Sequence, residues 1–312
     1  MTLITRVYLE NSITIDGPTG VLNGSDVAAT AIEAYKCNVY CQDSQGVIRE
    51  YAHSHGLWTA TISSTFRAKM FSPLAAVNFN GGKEIRVYCV SEDDYLEEWC
   101  YSSGLNGWSP GYLTKSKFRV DANTKLAAVC WLDNGQPNIR VYAQEPCSNQ
   151  IQEYVNGNPW KKGAVLPAAH TGTGLASICW LNDGIHIRVY YQAPDMTLRE
   201  YCCDGGWFAG EFRTEGMPPC TSIAAAGWFN SISRLRVYCQ DARKNIVAHK
   251  SDDGWKSDGI IIGPLRCKRF SAAIEWNTQG ELRLYYQGDD NRIYEHCKSG
   301  DNAWLKGFSF GS

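Results

Sequence analysis

No charge of one sign dominates these 312 residues: 30 Lys and Arg face 32 Asp and Glu, and no basic run occurs. Phosphate backbones and anionic lipid ask for a basic face, so nucleic acid is not an expected partner. Long apolar runs are missing as well, which excludes membrane insertion by a helix. The N-terminal Met1-Thr2-Leu3-Ile4-Thr5-Arg6-Val7 lacks the basic-then-apolar order of a secretory signal. A soluble protein is expected, either cytoplasmic or carried to the cell surface by a route without a signal peptide. Histidine is scarce, with six copies that do not join cysteines at zinc-like spacing, and no Cys-x-x-Cys occurs. Neither a metal nor any other cofactor is expected. His53 and His55 have metal-compatible spacing but no evident third ligand, and they read as surface residues.

Cysteine, by contrast, is plentiful, with 13 copies. The count is odd, and many copies occupy matching places: Cys41, Cys89 and Cys239 each follow a Val-Tyr pair, while Cys130 and Cys179 each precede a Trp. They read as buried free thiols rather than a disulfide framework. Those matching places belong to a repeat whose clearest phrase is Arg86-Val87-Tyr88, Arg140-Val141-Tyr142, Arg188-Val189-Tyr190, Arg236-Val237-Tyr238 and Arg283-Leu284-Tyr285. Gaps of 54, 48, 48 and 47 residues between the arginines give a period near 48. Self-similarity at that length marks a propeller or solenoid.

Each copy opens with a small-residue strand, as in Ala75-Ala76-Val77 and Ala224-Ala225-Ala226, which suits an innermost strand near an axis. Six such openings occur, and an aromatic ends the strand in five of them (Phe79, Trp131, Trp180, Trp228, Trp276), with Ile32 in the other. The Arg-Val-Tyr strand follows and usually ends in Gln (Gln144, Gln192, Gln240, Gln287). A polar turn leads to a strand carrying Glu beside an aromatic, and a Trp opens the last part. Short strands, frequent turns and no helical period predict an all-β, six-bladed β-propeller with four antiparallel strands per blade. It forms one domain over residues 1–312, with repeats near 28–73, 74–125, 126–174, 175–222, 223–270 and 271–312. Residues 1–27 hold strand-like segments at Ile4 to Leu9 and Ile13 to Ile15, one of which is expected to pair into the last blade and close the ring. Arg6-Val7-Tyr8 copies the phrase without its Glu and reads as structural.

Glu98, Glu200 and Glu295 each lie twelve residues after an arginine of the phrase; Glu153 lies thirteen after Arg140, with the extra residue assigned to the turn Glu145-Pro146-Cys147-Ser148-Asn149. A turn centred six residues past the Arg would set the pair directly opposite, about 4.5 to 5.5 Å apart at Cβ. One such pair is explained by a cross-strand salt bridge. Four, each followed by a Trp, ask for more. Guanidinium donors, a carboxylate acceptor and an aromatic plane together match the hydroxyls and C–H face of a sugar.

The Ala-Ala strand, the Ile-Arg-Val-Tyr-x-Gln strand, the Glu and the following Trp resemble the fungal fucose-specific lectins of the Aleuria type, from about Ala28 to Gly307. The resemblance implies L-fucose and fucosylated glycans as ligands, bound without metal or catalysis in shallow pockets between adjacent blades, and often a homodimer. Intact triads are then Arg86, Glu98 and Trp108; Arg140, Glu153 and Trp160; Arg188, Glu200 and Trp207; and Arg283, Glu295 and Trp304. Two copies depart from the pattern. Asn38 stands beside Glu50 and Trp58 where Arg is expected, and Arg236 and Trp255 accompany Ala248 where Glu is expected. Both sites should be weak or altered, since each has lost a charged hydrogen-bonding group.

A propeller glycoside hydrolase of the sialidase kind would gather its arginines at one centre, whereas these are spread one per copy. A protein-interaction propeller gives no reason for Arg, Glu and Trp to recur at one register, and the Gly-His and Trp-Asp signatures of WD repeats are missing.

Overall fold

Six four-stranded antiparallel sheets follow one another along the chain in a computed structural model that describes residues 14–15, 20–60, 66–105, 107–265, 271–276 and 279–311. Blade 1 comprises Val27–Glu33, Lys36–Gln42, Val47–Ser54 and Leu57–Ala60, and blade 2 Ala75–Phe79, Glu84–Val90, Leu96–Ser102 and Trp108–Pro110. Blade 3 is Ala127–Asp133, Gln136–Gln144, Gln150–Val155 and Lys161–Ala168; blade 4 is Leu175–Leu181, Ile185–Gln192, Leu198–Asp204 and Trp207–Thr214. Blade 5 runs through Ile223–Asn230, Ile232–Gln240, Ile246–Ser251 and Trp255–Ile262, and blade 6 through Ser271–Glu275, Glu281–Gln287, Ile293–Ser299 and Leu305–Phe310. Together they form the six-bladed propeller. Thr14–Ile15 adds a fifth strand to blade 6, pairing in parallel with its outermost strand. The segment from Ile4 to Leu9, with Arg6-Val7-Tyr8, lies outside the described residues.

The small-residue strands are innermost and surround an axial cavity of about 270 Å³, to which Ala29, Ala76, Ala128, Ser177, Ala225 and Ala273 each contribute from one blade. Helical structure among the described residues is limited to Tyr112–Ser116 in blade 2. It follows an outer strand of only three residues and buries Leu113.

Alternation along the second strand explains the repeated phrase. Arg and Tyr point toward the next blade and Val toward the previous one, so each hydrophobic layer is shared by two blades: Tyr142 packs with Ile187 and Val189, and Tyr190 with Leu235 and Val237. These Tyr and Val side chains are fully buried, each contributing about 1.5 to 3 kcal/mol relative to exposure. Apolar layers alone do not fix blade spacing. Buried Gln192 does so by donating to the Met196 and Pro218 carbonyls (both 3.1 Å) while accepting from the Cys220 amide (2.9 Å), tying its own hairpin to the connection into blade 5. Gln42, Gln144 and Gln287 make equivalent bridges.

All twelve described cysteines are free, and Cys41, Cys89 and Cys239 are buried as expected. Burial pushes the Cys41 and Cys239 thiols up to about 12, so they stay protonated. His53 is buried rather than on the surface, because its strand position turns it into the layer between blades 6 and 1, stacked on Trp276 at 5.1 Å.

Candidate functional site

In five blades the arginine of the phrase lies over the aromatic that ends the inner strand: Arg86 over Phe79 (5.0 Å), Arg140 over Trp131 (4.9 Å), Arg188 over Trp180 (4.8 Å), Arg236 over Trp228 (5.0 Å) and Arg283 over Trp276 (4.0 Å). Each also donates from Nη1 to the carbonyl of the residue before it, at 2.8 to 3.0 Å. Ring and carbonyl lock the fork, so little side-chain entropy remains to be lost on binding.

The Glu does not sit opposite the Arg. Arg86 pairs with Cys100, Arg188 with Cys202 and Arg283 with Cys297, while Tyr88, Tyr190 and Tyr285 face Glu98, Glu200 and Glu295. The turn supplies the reason. Each closes with a residue at positive φ, such as Asp94, Met196 or Asn291, giving a five-residue connection whose centre is seven residues past the Arg. Blade 3 places its extra residue within the turn and keeps Tyr142 opposite Glu153.

The diagonal arrangement still makes Arg and Glu neighbours. Nε lies 3.6 Å from the carboxylate in the Arg140–Glu153 pair, 3.9 Å in Arg188–Glu200 and 3.8 Å in Arg283–Glu295. The phenol between them donates to the carboxylate, at 3.3 Å for Tyr88, 3.1 Å for Tyr142, 2.9 Å for Tyr190 and 3.0 Å for Tyr285. On the other side a backbone amide of the outer segment points at the same carboxylate, from Leu113 to Glu98 (3.2 Å), Ala164 to Glu153 (3.0 Å) and Phe308 to Glu295 (3.3 Å). Close approach there requires glycine: a Cβ on Gly111, Gly163, Gly210 or Gly307 would meet the Glu at 2.1 to 2.4 Å.

Burial pushes Glu98, Glu200 and Glu295 above the usual carboxylate range, against the opposing pull of their amide and phenol donors and of the arginine. It also opposes the charge of Arg86, Arg188 and Arg283, but the acidic groups around them more than restore it. Further carboxylates hold the outer face of the fork, with Asp204 taking both Nη atoms of Arg188 (2.7 and 3.0 Å) and Glu84 taking Nη2 of Arg86 (2.9 Å).

The Trp comes from the neighbouring blade, which corrects the grouping of the triads. Trp160 meets Tyr88 edge-on at 6.1 Å, Trp207 meets Tyr142 at 6.2 Å, Trp255 meets Tyr190 at 6.0 Å and Trp58 meets Tyr285 at 6.0 Å. Trp108 and Trp304 do the same for Tyr40 and Tyr238, at 5.8 Å each. The structure therefore assembles Arg86, Glu98 with Trp160; Arg140, Glu153 with Trp207; Arg188, Glu200 with Trp255; and Arg283, Glu295 with Trp58. Blades pack face to face, so the Trp at the start of an outer strand turns back toward the blade before it.

Two grooves differ. Between blades 1 and 2, Asn38 donates to Tyr40 (3.2 Å), Tyr40 donates to Glu50 (2.8 Å), and Ile32 takes the place of the aromatic, so the Arg and the ring that would carry it are absent together. Between blades 5 and 6, Arg236 is present and paired with Asp252 (2.8 Å), but Ala248 faces Tyr238.

Four grooves thus present a held cationic donor, a buried acceptor and an aromatic ring. A model of the fungal fucose-specific lectin family matches residues 21–289. The chain belongs to the fungal fucose-specific lectin family. It is 36% identical over 257 residues to the fucose-specific lectin of Aleuria aurantia, covering 78% of this chain and 80% of that one. The fucose-specific lectin of Aspergillus oryzae is 37% identical over 263 residues, covering 80% and 83%. A solved structure of an Aleuria aurantia lectin variant with Fucα1-6GlcNAc superposes with a TM-score of 0.84 at 31% identity, covering 94% of this chain and 98% of that one. Another, with α-methyl-L-fucoside, gives 0.82 at 30% identity, covering 94% and 97%.

Three participants were not assigned from sequence: the phrase's own Tyr, the aromatic beneath the Arg, and the glycine behind the Glu. The last had a usable signal, since Gly111, Gly163, Gly210 and Gly307 each lie three residues after a Trp.

Proposed function

We propose that the protein is a multivalent, non-catalytic lectin that binds L-fucose and fucosylated glycans in the grooves between adjacent blades and adheres to surfaces that display them. The observation that carries this is the fourfold recurrence of an arginine fixed on an aromatic, a buried glutamate and a tryptophan from the next blade. In each groove the Arg donates to vicinal hydroxyls, the Glu accepts from them, and the Trp offers an apolar face. The ligands of the relatives support fucose as the sugar. The Asn38–Glu50–Trp108 groove lacks the guanidinium and is the weak one. Pairing of two copies, as the family resemblance implies, would double the grooves on one particle, which sedimentation equilibrium reads.

Crystals of Glu200→Ala soaked in α-methyl-L-fucoside should lose ligand between blades 4 and 5 and keep it between blades 2 and 3, 3 and 4, and 6 and 1. Trp207→Ala separates the two ways of grouping residues: the emptied groove should be that of Arg140 and Glu153, not that of Arg188 and Glu200. Ligand bound at the ring axis, or lost everywhere with the fold intact, would overturn the proposal.

A further inference from the structure

The groove between blades 5 and 6 keeps the frame of the others and inverts its polarity. Arg236 still lies on Trp228, and Trp304 still meets Tyr238 edge-on. The Glu has become Ala248, and the position three residues after the Trp, glycine in four other copies, has become Asp258. Glutamate and glycine have exchanged for alanine and aspartate, so the carboxylate now belongs to the outer strand. It is not left as an open acceptor: Lys250, which faces Arg236 across the strands, pairs with Asp258 at 2.5 Å, and Lys298 of blade 6 reaches it at 3.8 Å. Lys250 occupies the place held by Cys100, Cys202 and Cys297 in other blades, and Lys298 that of Tyr101 and Cys203. Four cations, Arg234, Arg236, Lys250 and Lys298, meet two carboxylates, Asp252 and Asp258.

Two buried donors also lack partners. The Tyr238 hydroxyl, whose counterparts donate to a Glu, finds no acceptor, and neither does the Trp304 indole N–H. Tyr238 is 1% exposed, so its unsatisfied hydroxyl is a standing cost that a ligand acceptor would remove. In the four intact grooves a glutamate carboxylate accepts from this phenol; here nothing does.

We infer that the groove between blades 5 and 6 binds an acidic saccharide, one carrying a carboxylate or sulfate, in place of fucose. The anionic group accepts from Tyr238 and lies among Arg236, Lys250 and Lys298, while the sugar ring rests against Trp304. This rests on the reading of the grooves as sugar sites but concerns a different ligand at a different groove.

The test uses the full chain in three ligand solutions, methyl β-D-glucuronide, galactose 6-sulfate and α-methyl-L-fucoside, followed by crystallography and calorimetry. Glucuronide or sulfated sugar should occupy this groove, with an affinity that falls as salt is raised, and the identity of the bound ligand decides between carboxylate and sulfate. Lys298→Ala should weaken that ligand about tenfold without changing fucoside binding elsewhere. The double variant Ala248→Glu with Asp258→Gly restores the pattern of the other copies; it should lose the acidic ligand here and gain fucoside. Fucoside in this groove of the unaltered protein, or neither acidic sugar there, overturns the inference. Fucoside in the four intact grooves of the same crystals reports separately on the fucose reading.

Discussion

Arg188 is fixed by three different contacts: the Trp180 ring beneath it, the Ile187 carbonyl at its Nη1, and Asp204 across both Nη atoms. What remains for a ligand is a short arc of the fork near Glu200. Binding through that arc needs the Glu ionised. Because burial raises Glu98, Glu200 and Glu295 above the ordinary value of 4.5, these groups take up a proton at a higher pH than free glutamate would. Affinity for α-methyl-L-fucoside should therefore fall on acidification, beginning above pH 4.5. For stability the sign is opposite. A carboxyl whose pKa is raised on folding holds its proton more tightly in the native state, so these residues favour the fold as pH drops through that window. Calorimetric titrations alongside circular dichroism should show binding lost while the fold persists; affinity unchanged until unfolding would contradict an ionised acceptor.

The blade is the element whose construction was most legible. The recurring Arg-Val-Tyr reported the second strand of each blade and the recurring small residues reported the inner strand, because side-chain period and size are local properties. Register was not legible. It depends on which turn residue adopts positive φ, and Met196 and Lys244 do so with no glycine to announce it. The blade that owns each Trp contact was hidden too, since it depends on how sheets stack rather than on spacing within one repeat. Gln192 belongs to this scale, linking a hairpin to the next connection. Gln192→Ala should remove three hydrogen bonds, to the Met196 and Pro218 carbonyls and from the Cys220 amide, and cost about 2 to 4 kcal/mol in urea unfolding. Exposed Gln136→Ala is the control and should shift stability by less than about 0.5 kcal/mol. Equal effects from both would remove the bridging role of Gln192.

Across the whole molecule, the grooves are held on one rigid ring, and separate weak contacts then add through high effective concentration. The combined variant Glu98→Ala, Glu153→Ala and Glu295→Ala retains the groove of Glu200. It should still bind free fucoside once per chain, while agglutination of fucosylated cells falls by about two orders of magnitude or more. Agglutination at the original titre would mean that adhesion arises elsewhere on the surface.

The groove of Arg283, Glu295 and Trp58 joins blade 6 to blade 1, and the parallel strand Thr14–Ile15 crosses the same seam. The other interfaces join blades that are consecutive in the chain, whereas this one comes into existence only when the two ends of the chain meet. The contact of Trp58 with Tyr285 therefore exists only in a sealed ring, and an open chain holding every blade intact would carry the residues of this groove without the groove itself.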